Sequence, residues 1–556
     1  MNRHQGPTSI DFPGEIGPFL ACGDGSLLAI YEEGRKPNQW NDLSIPQYMY
    51  CRRSNDNGLT WDEPHVIASH PEEGRLCNSF GLFADANGHV HHLYLLLLNW
   101  DEHIPYEDRI IEMKHIRSSD YGRTWSEPVT VDYGHSYTGS INNATVLDSG
   151  RIVVSFSYMT RRKNGRFTTT AMLSDDHGQT WRLSNSNLFL DNGGGHIETG
   201  AVEPVTIELP DGRIWLVVRT QAGKLYESYS SDAGENWSEL APTGFVSSNS
   251  PAGLLRLRDG RVLMCWNHCN GEPIHHGISY ARQAIVAAIC GHDGVWRGYR
   301  QVVGMKREYD ARRMFCYPWM VELADGNVLV GYYDAHLSHP GTQTFRVVRF
   351  DLEWLVALQA EERLAEDNHS LTLSQTGAEI YVLPDGARAL RIVQQGADPG
   401  VGATWNFPLA IRGEVELQVR IGSADTSGGI YVSLAASFLS PDTKQSGMFR
   451  LKIERDGRLA AQHANEGPYL ALENAPLPAG EWVTLRLGWD CAHEYAVVHV
   501  NGTFAGALSQ LEQGHALSFV RLHAAEAGSG IEVSGMRMSG SPLASPGGTG
   551  EGVNPA

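Results

Sequence analysis

Ser54-Asn55-Asp56-Asn57-Gly58-Leu59-Thr60-Trp61 decides the fold, because its pattern, S-x-D-x-G-x-[T/N]-W, returns three more times. The copies run from Ser118 to Trp125, from Ser174 to Trp181, and from Ser230 to Trp237, where Asn236 replaces the Thr. A degenerate fifth copy ends at Asp293-Gly294-Val295-Trp296. The Ser positions lie 64, 56 and 56 residues apart, and periods of this size mark propellers and other repeat arrays. Each copy reads as a hairpin turn. Asp accepts hydrogen bonds from turn amides, Gly supplies a positive φ, and Trp fills the space between neighbouring sheets.

A second repeat interleaves with the first. Tight turns occur at Asp24-Gly25, Asn87-Gly88, Ser149-Gly150, Asp211-Gly212, Asp259-Gly260 and Asp325-Gly326, with glycines spaced 63, 62, 62, 48 and 66 residues apart. Apolar, strand-like runs flank each one, as in Ile214-Trp215-Leu216-Val217-Val218, so they read as β-hairpins. Six such turns alternating with five outer turns predict six four-stranded blades. The sixth closes with Thr344 to Asp351 and an N-terminal strand, which limits exposed edges.

The expected fold class is therefore all-β: a six-bladed β-propeller over 1–353, then a helical connector over 354–369. From 370 to 540 the period is gone, and short alternating strands remain at Glu414 to Ile421, Gly429 to Ala435, Phe449 to Glu454, Trp482 to Leu487 and Tyr495 to Val500. These predict a two-sheet, concanavalin- or jelly-roll-like sandwich of the lectin sort. The Gly/Pro/Ser-rich tail, 541–556, reads as disordered.

Composition agrees. With 42 % apolar residues, 60 Gly and 14 Trp in 556 residues, the chain suits turn-rich β structure. A net charge of −20 argues against a nucleic-acid groove, since phosphates call for a basic face. The eight Cys show no C-x-x-C pair and read as small buried side chains. His91-His92 and His275-His276 lack a third ligand at usable spacing, so no metal and no cofactor are expected. Met1 to Phe12 has no apolar signal region, and the longest apolar run, Leu93 to Leu98, is far short of the ~20 residues of a membrane span. The sequence as given reads as cytoplasmic, with no membrane partner; a chain trimmed of a secretory signal would read the same.

In a propeller the first strand of each blade lines the axial channel. Nine residues before the turn glycines stand Ile16, Ser79, Ile141, Glu203, Pro251 and Tyr317. Glu203 and Tyr317 alone suit proton or nucleophile chemistry, and their identical offset places them at one depth. A buried Glu beside a Tyr hydroxyl can draw off its proton; equally, Tyr317 can pack under a loop that Glu203 caps. His135, His196 and His268 fall near blade mouths, each open to acid–base or structural use. Asn192-Gly193-Gly194-Gly195-His196 precedes no helix and is no phosphate loop.

The Asp boxes, the six-blade spacing and a Glu-to-Arg pattern resemble the sialidase (neuraminidase) superfamily over roughly residues 10–351. Sialidases carry Glu-Pro in an inner strand, an Arg after the hairpin, a second Arg before a later Asp box, and a Tyr in the last blade. Here Glu203-Pro204 precedes Asp211-Gly212-Arg213, Arg219 follows, Arg282 lies eight residues before Cys290, and Tyr317 sits in Met314-Phe315-Cys316-Tyr317-Pro318. The resemblance implies that Glu203 is the base activating a nucleophilic Tyr317, the glycosidase variant with a tyrosine nucleophile. It further implies that Arg219 and Arg282 grip a carboxylate.

The likeness breaks in blade one. Sialidases open with Arg-Ile-Pro, and the aligned stretch is Glu15-Ile16-Gly17-Pro18. Tyr31-Glu32-Glu33-Gly34-Arg35 matches the next family segment, so Arg35 fits a family arginine, and Asp42 is the candidate acid/base in the following loop. Either Arg35, Arg312 or Arg313 completes the clamp, or Glu15 turns away, or the ligand differs from sialic acid and Glu15 accepts hydrogen bonds from sugar hydroxyls.

The reading that results is an exo-acting, retaining glycoside hydrolase of the sialidase type, releasing a terminal acidic sugar (sialic acid or a related ulosonic or uronic acid). Its partner would be a carbohydrate; the oligomeric state is left open. The rivals are a propeller glycosidase or polysaccharide lyase on another sugar, of rhamnosidase or uronate type, and a non-catalytic glycan-binding propeller. In the sandwich, Trp405 and Trp482 are either stacking platforms or core.

Overall fold

A computed structural model describes residues 6–541 apart from 12–16, 35–41, 43, 71–73, 100–102, 162–165, 192–198, 270–280, 306–312, 337–343, 363, 365–368, 397–399, 423–428, 443–446, 474–475 and 525. Six antiparallel sheets follow the two sequence repeats. Their inner strands begin at Phe19, Arg75, Thr145, Val202, Gly253 and Arg313. The last sheet takes its outermost strand from the other end of the chain, with Thr8, Ser9 and Ile10 pairing Arg349, Val348 and Val347. Closure by the N-terminal strand removes the free edge of an open ring.

The Asp boxes work locally. In the first, Ser54 Oγ accepts from Gly58 N at 2.9 Å and donates to Asp56 Oδ1 at 2.8 Å. Asp56 in turn accepts from Thr60 N at 2.8 Å and Thr60 Oγ1 at 2.5 Å. Gly58 has φ 84°, and Trp61 Nε1 donates back to its carbonyl. In the fourth copy the Asn236 amide replaces the Thr hydroxyl on Asp232, at 2.8 Å. Trp61 packs with Leu27 of its own blade and Leu329 of blade 6, and Trp125 with Leu28 and Cys51 of blade 1.

Beyond the propeller the helix is shorter than the expected connector. It spans only Leu352–Val356, capped by Asp351, whose side chain accepts from Glu353 N. Gln359–Glu362, read as helical from sequence, is a strand paired with Glu361↔Arg537 register in an eight-stranded sheet. A seven-stranded sheet faces it, and Phe407, Phe449, Leu485 and Trp405 belong to the core they share. Trp405 is 2 % exposed, so it is core and not a stacking platform. Trp482 is half-buried, with the Arg420 guanidinium 4.5 Å above its ring.

The sandwich packs on blade 5 and its neighbour. Trp215, Phe245, Trp266 and Trp296 form one apolar cluster with Leu409, Phe438 and Phe519. Polar ties are buried with it: Asn406 Oδ1 accepts from Gln301 N at 2.7 Å, and Asn406 Nδ2 donates to Tyr299 O at 3.1 Å. His268 lies in this junction, its ring nitrogens 3.1 Å and 2.9 Å from the carbonyl oxygens of Val246 and Ala436. Of the two uses open to it, His268 thus has the structural one.

Candidate active site

Three inner strands break register at the same level. The irregularities fall between Cys77 and Gly81 in blade 2, Val202 and Val205 in blade 4, and Cys316 and Trp319 in blade 6. A bulge leaves a residue unpaired and re-aims its side chain. In blades 4 and 6 that residue is Glu203 or Tyr317, with φ 49° and 56°. Both precede a proline. A left-handed backbone at a bulky residue is strained, and a following proline restricts the α region further. Such strain gathers where neighbours over-determine a conformation for use.

The neighbours are visible. Glu203 N donates to Ser157 Oγ at 3.2 Å, and Glu203 O accepts from Asn142 Nδ2 at 3.0 Å. Blade 3 side chains thus satisfy the backbone groups that the bulge takes from the ladder. On blade 6, a Cβ at Gly253 would come within 2.3 Å of Pro318 O, so glycine is required for that strand to approach the Tyr317-Pro318 bulge. Phe80, from the blade 2 irregularity, stacks on Tyr317 with ring centres 6.2 Å apart.

The re-aimed side chains meet. Tyr317 Oη donates to Glu203 Oε1 at 2.6 Å. Arg219 Nη1 donates to Glu203 Oε2 at 2.6 Å and Arg219 Nε to Asn249 Oδ1 at 2.6 Å. Arg282 donates from Nε and Nη2 to Asn249 O at 3.1 Å and 2.5 Å, and its guanidinium carbon lies 6.0 Å from the Tyr317 ring centre. Glu203, Arg219, Arg282 and Asn249 are all buried, at 6 %, 3 %, 5 % and 2 % exposure. Burial pushes the Tyr317 hydroxyl well above its ordinary range; the Glu203 carboxylate adds to this and the two arginines oppose it. At neutral pH the phenol therefore keeps its proton, and loses it only to a base in contact. Glu203 is in contact.

Four sequence-chosen residues thus come together. Asp42 stands in an exposed turn, its Oδ1 accepting from Ser44 N at 3.0 Å and Ser44 Oγ at 2.5 Å. Glu15, Arg35, Arg312 and His196 lie outside the described residues. Arg313 is paired with Asp334, Nη2 to Oδ2 at 2.7 Å, and so serves blade 6. His135 stacks on Tyr158 with ring centres 3.7 Å apart. Ser79 and Ile141 are buried in the walls, and Ile141 belongs to an apolar cluster. Among the described residues no group of three or more His, Cys, Asp or Glu side chains is disposed to hold a metal ion. Sequence reasoning missed Asn249, Asn142 and Ser157. Pro251, at the nine-residue offset, was the available signal, but it points at itself and not at the Asn two positions earlier.

Residues 25–330 match the model of a family described as a BNR repeat-like domain. The chain belongs to this BNR-repeat family of the sialidase superfamily. The BNR-repeat chain is 26 % identical over 239 residues to a sialidase of Micromonospora viridifaciens, a stretch covering 38 % of this chain and 34 % of that one. It is 27 % identical over 144 residues to an anhydrosialidase of Macrobdella decora, covering 24 % of this chain and 17 % of the relative. The matches thus span about a third of those relatives or less. Among solved structures, Trypanosoma rangeli sialidase aligns at 13 % identity and TM-score 0.43, covering 97 % of each chain. A Dyadobacter fermentans protein of unknown function aligns at 19 % identity and TM-score 0.48, covering 63 % of this chain and 98 % of that one.

Proposed function

We propose that the protein is an exo-acting glycoside hydrolase that releases a terminal acidic sugar with retention. The observation that carries this is the 2.6 Å bond from Tyr317 Oη to Glu203 Oε1, with two buried arginines beside it. Tyr317 attacks the anomeric carbon while Glu203 takes the phenolic proton. A tyrosine on an inner strand needs such a base, because its own acidity is suppressed by burial. Asp42 is proposed as the acid that protonates the departing oxygen and later activates water. Arg219 and Arg282 bind the sugar's carboxylate. A binding-only propeller has no use for a strained, hydrogen-bonded Tyr–Glu pair, which favours catalysis over recognition.

Glu15 replaces the first family arginine, and a carboxylate about 4 Å from a ligand carboxylate costs roughly 4 kcal/mol at an effective dielectric near 20. Weak action on sialosides and stronger action on a different terminal sugar is therefore expected. The test is a panel of terminal sialosides, ulosonides and uronides, with the released sugar identified. Efficient sialoside cleavage, unimproved by Glu15→Arg, would show that this departure does not set specificity; no release from any acidic glycoside would remove the proposal.

A further inference from the structure

Asn249 stands between the two arginines and holds both. Arg219 comes from the strand Ile214–Arg219 in blade 4, and Arg282 from the segment just before Ala284–Cys290 in blade 5. Asn249 lies in the link between those blades, Ser247 to Ser250, where all four residues are at most 2 % exposed. Its two acceptors are divided: the side-chain Oδ1 takes Arg219 Nε, and the main-chain carbonyl takes the Nε and Nη2 edge of Arg282. Glu203 takes Arg219 Nη1. The Arg219 guanidinium is thus fixed from two sides, by Asn249 and by the general-base candidate.

The link is held by main-chain hydrogen bonds. Ser250 N donates to Ser248 O at 2.7 Å, Ser248 N to Asn267 O at 3.3 Å, and Pro251 follows. Asn249 Nδ2 is buried with no hydrogen-bond partner among the described residues. A buried unsatisfied donor is unfavourable, so the amide's orientation needs another cause, and the Arg219 Nε–H facing Oδ1 supplies it. A planar guanidinium recognises a carboxylate through two parallel donors, and fixing those planes before the ligand arrives removes an ordering cost from binding.

We infer that Asn249 is a positioning residue that couples Arg219 and Arg282 into one anion-binding unit and thereby sets the preference for an acidic over a neutral sugar. The preference rests on the acidic-sugar reading above; the coupling does not. Because the two anchors use different atoms, they separate by substitution. Asn249→Ala removes the Arg219 anchor and keeps the carbonyl for Arg282. Asn249→Asp keeps both anchors and adds a negative charge between the arginines.

The experiment measures steady-state kinetics of wild type and both variants on 4-methylumbelliferyl N-acetylneuraminide and 4-methylumbelliferyl glucuronide, each as free acid and as methyl ester. It also measures hydrogen exchange of the arginine Nε–H groups by NMR. On whichever acid the wild type turns over, Asn249→Asp is expected to raise KM by about ten-fold or more, since a charged hydrogen-bonding partner is being neutralised. KM for the ester should stay within about two-fold, because the geometry is kept. Equal changes on acid and ester would mean that Asn249 only supports the fold, and would overturn the preference. Turnover of neither acid would remove the acidic-sugar reading and the preference with it. The coupling is then decided by exchange alone. Asn249→Ala should expose the Arg219 Nε–H and leave that of Arg282 protected, while Asn249→Asp protects both. Unchanged Arg219 exchange in Asn249→Ala would overturn the coupling.

Discussion

Glu203 and Tyr317 come from blades 4 and 6, yet they occupy equivalent positions: each has a left-handed backbone, each precedes a proline, and their side chains share a 2.6 Å hydrogen bond. The repeat brings the same bulge round the ring twice, and the two copies carry complementary chemistry. Glu203 is also the partner of Arg219, so the pair is tied to the arginine cluster through one carboxylate.

Tyr317→Phe deletes the oxygen proposed as nucleophile and little else. Phe keeps the stacking on Phe80 and leaves Glu203 its bond to Arg219. Turnover of the best glycoside in the panel should fall on the order of 10³-fold or more, several kcal/mol of transition-state stabilisation. The melting temperature should move little. Near-wild-type turnover of the folded variant would rule out a tyrosine nucleophile.

Glu203→Ala should act differently, through stability as well as rate. It takes the carboxylate from a buried arginine, and breaking a buried ion pair from one side costs about 3–5 kcal/mol. Glu203→Gln keeps the shape and one acceptor oxygen for Arg219 but removes the charge of the proposed base, so it should lose less stability than Glu203→Ala. Urea titrations of the two variants, compared with their rates, separate these effects. Ala and Gln variants both as stable as wild type would show that the Arg219 pair is not a structural bond.

Stability should fall in mild acid, for a reason that lies away from the site. Burial lowers His91 to about 4, and His92 and His115 to about 3. Around them lie Asp85, with Oδ2 3.4 Å from His91 Nε2, and also His89, His177 and Arg117. An unfolded histidine titrates near 6.5. Between that value and the folded values the unfolded chain holds more protons, so stability is full above pH 6.5 and is lost as pH falls. Near pH 5 the three histidines together give a slope of up to about 4 kcal/mol per pH unit. Urea midpoints at pH 7.5, 6 and 5 should record this decline, and His92→Gln should flatten it by about a third. A flat profile would mean that these rings take up protons without unfolding.

The parts of this fold that were legible in sequence are those whose chemistry is local. An Asp box closes its own hydrogen bonds within eight residues, from Ser54 to Trp61, so its pattern survives in the letters. The Tyr317–Glu203 contact was legible because the turn glycines supply a register, and equal offset from Gly212 and Gly326 means equal depth. Asn249 was not, because its role depends on two arginines from different blades and on one backbone carbonyl, which no side-chain pattern encodes. The strand Gln359–Glu362 was misread because its Ala-Glu-Glu composition favours helix, whereas pairing with Met536–Ser539 decides otherwise. The sandwich strands that alternate, such as Tyr495–Val500, were read correctly; Val401–Ala410, buried at every residue, carries no period to read.

The sandwich should prove to be a brace for the propeller. Its Leu409, Phe438 and Phe519 complete a cluster with Phe245, Trp266 and Trp296 of the propeller, and Phe438 N donates to His268 O at 3.1 Å across the junction. Cutting the chain after 356 would expose those propeller aromatics and leave His268 without its Ala436 partner. Burying each large apolar side chain is worth about 1.5–3 kcal/mol, and 1 kcal/mol shifts the midpoint by roughly 2–4 °C for domains of 150–250 residues. A polypeptide of residues 1–356 should therefore melt at least about 10 °C lower than the full chain, or aggregate. Phe438→Ala in the full chain should reproduce part of that loss, about 3–5 kcal/mol by large-to-small truncation in a core. The measurement is thermal unfolding of all three proteins with sedimentation as a check on size. If 1–356 keeps the oligomeric state of the full chain and melts with it, the sandwich does not support the propeller, and binding of a glycan becomes the stronger account of why it is there.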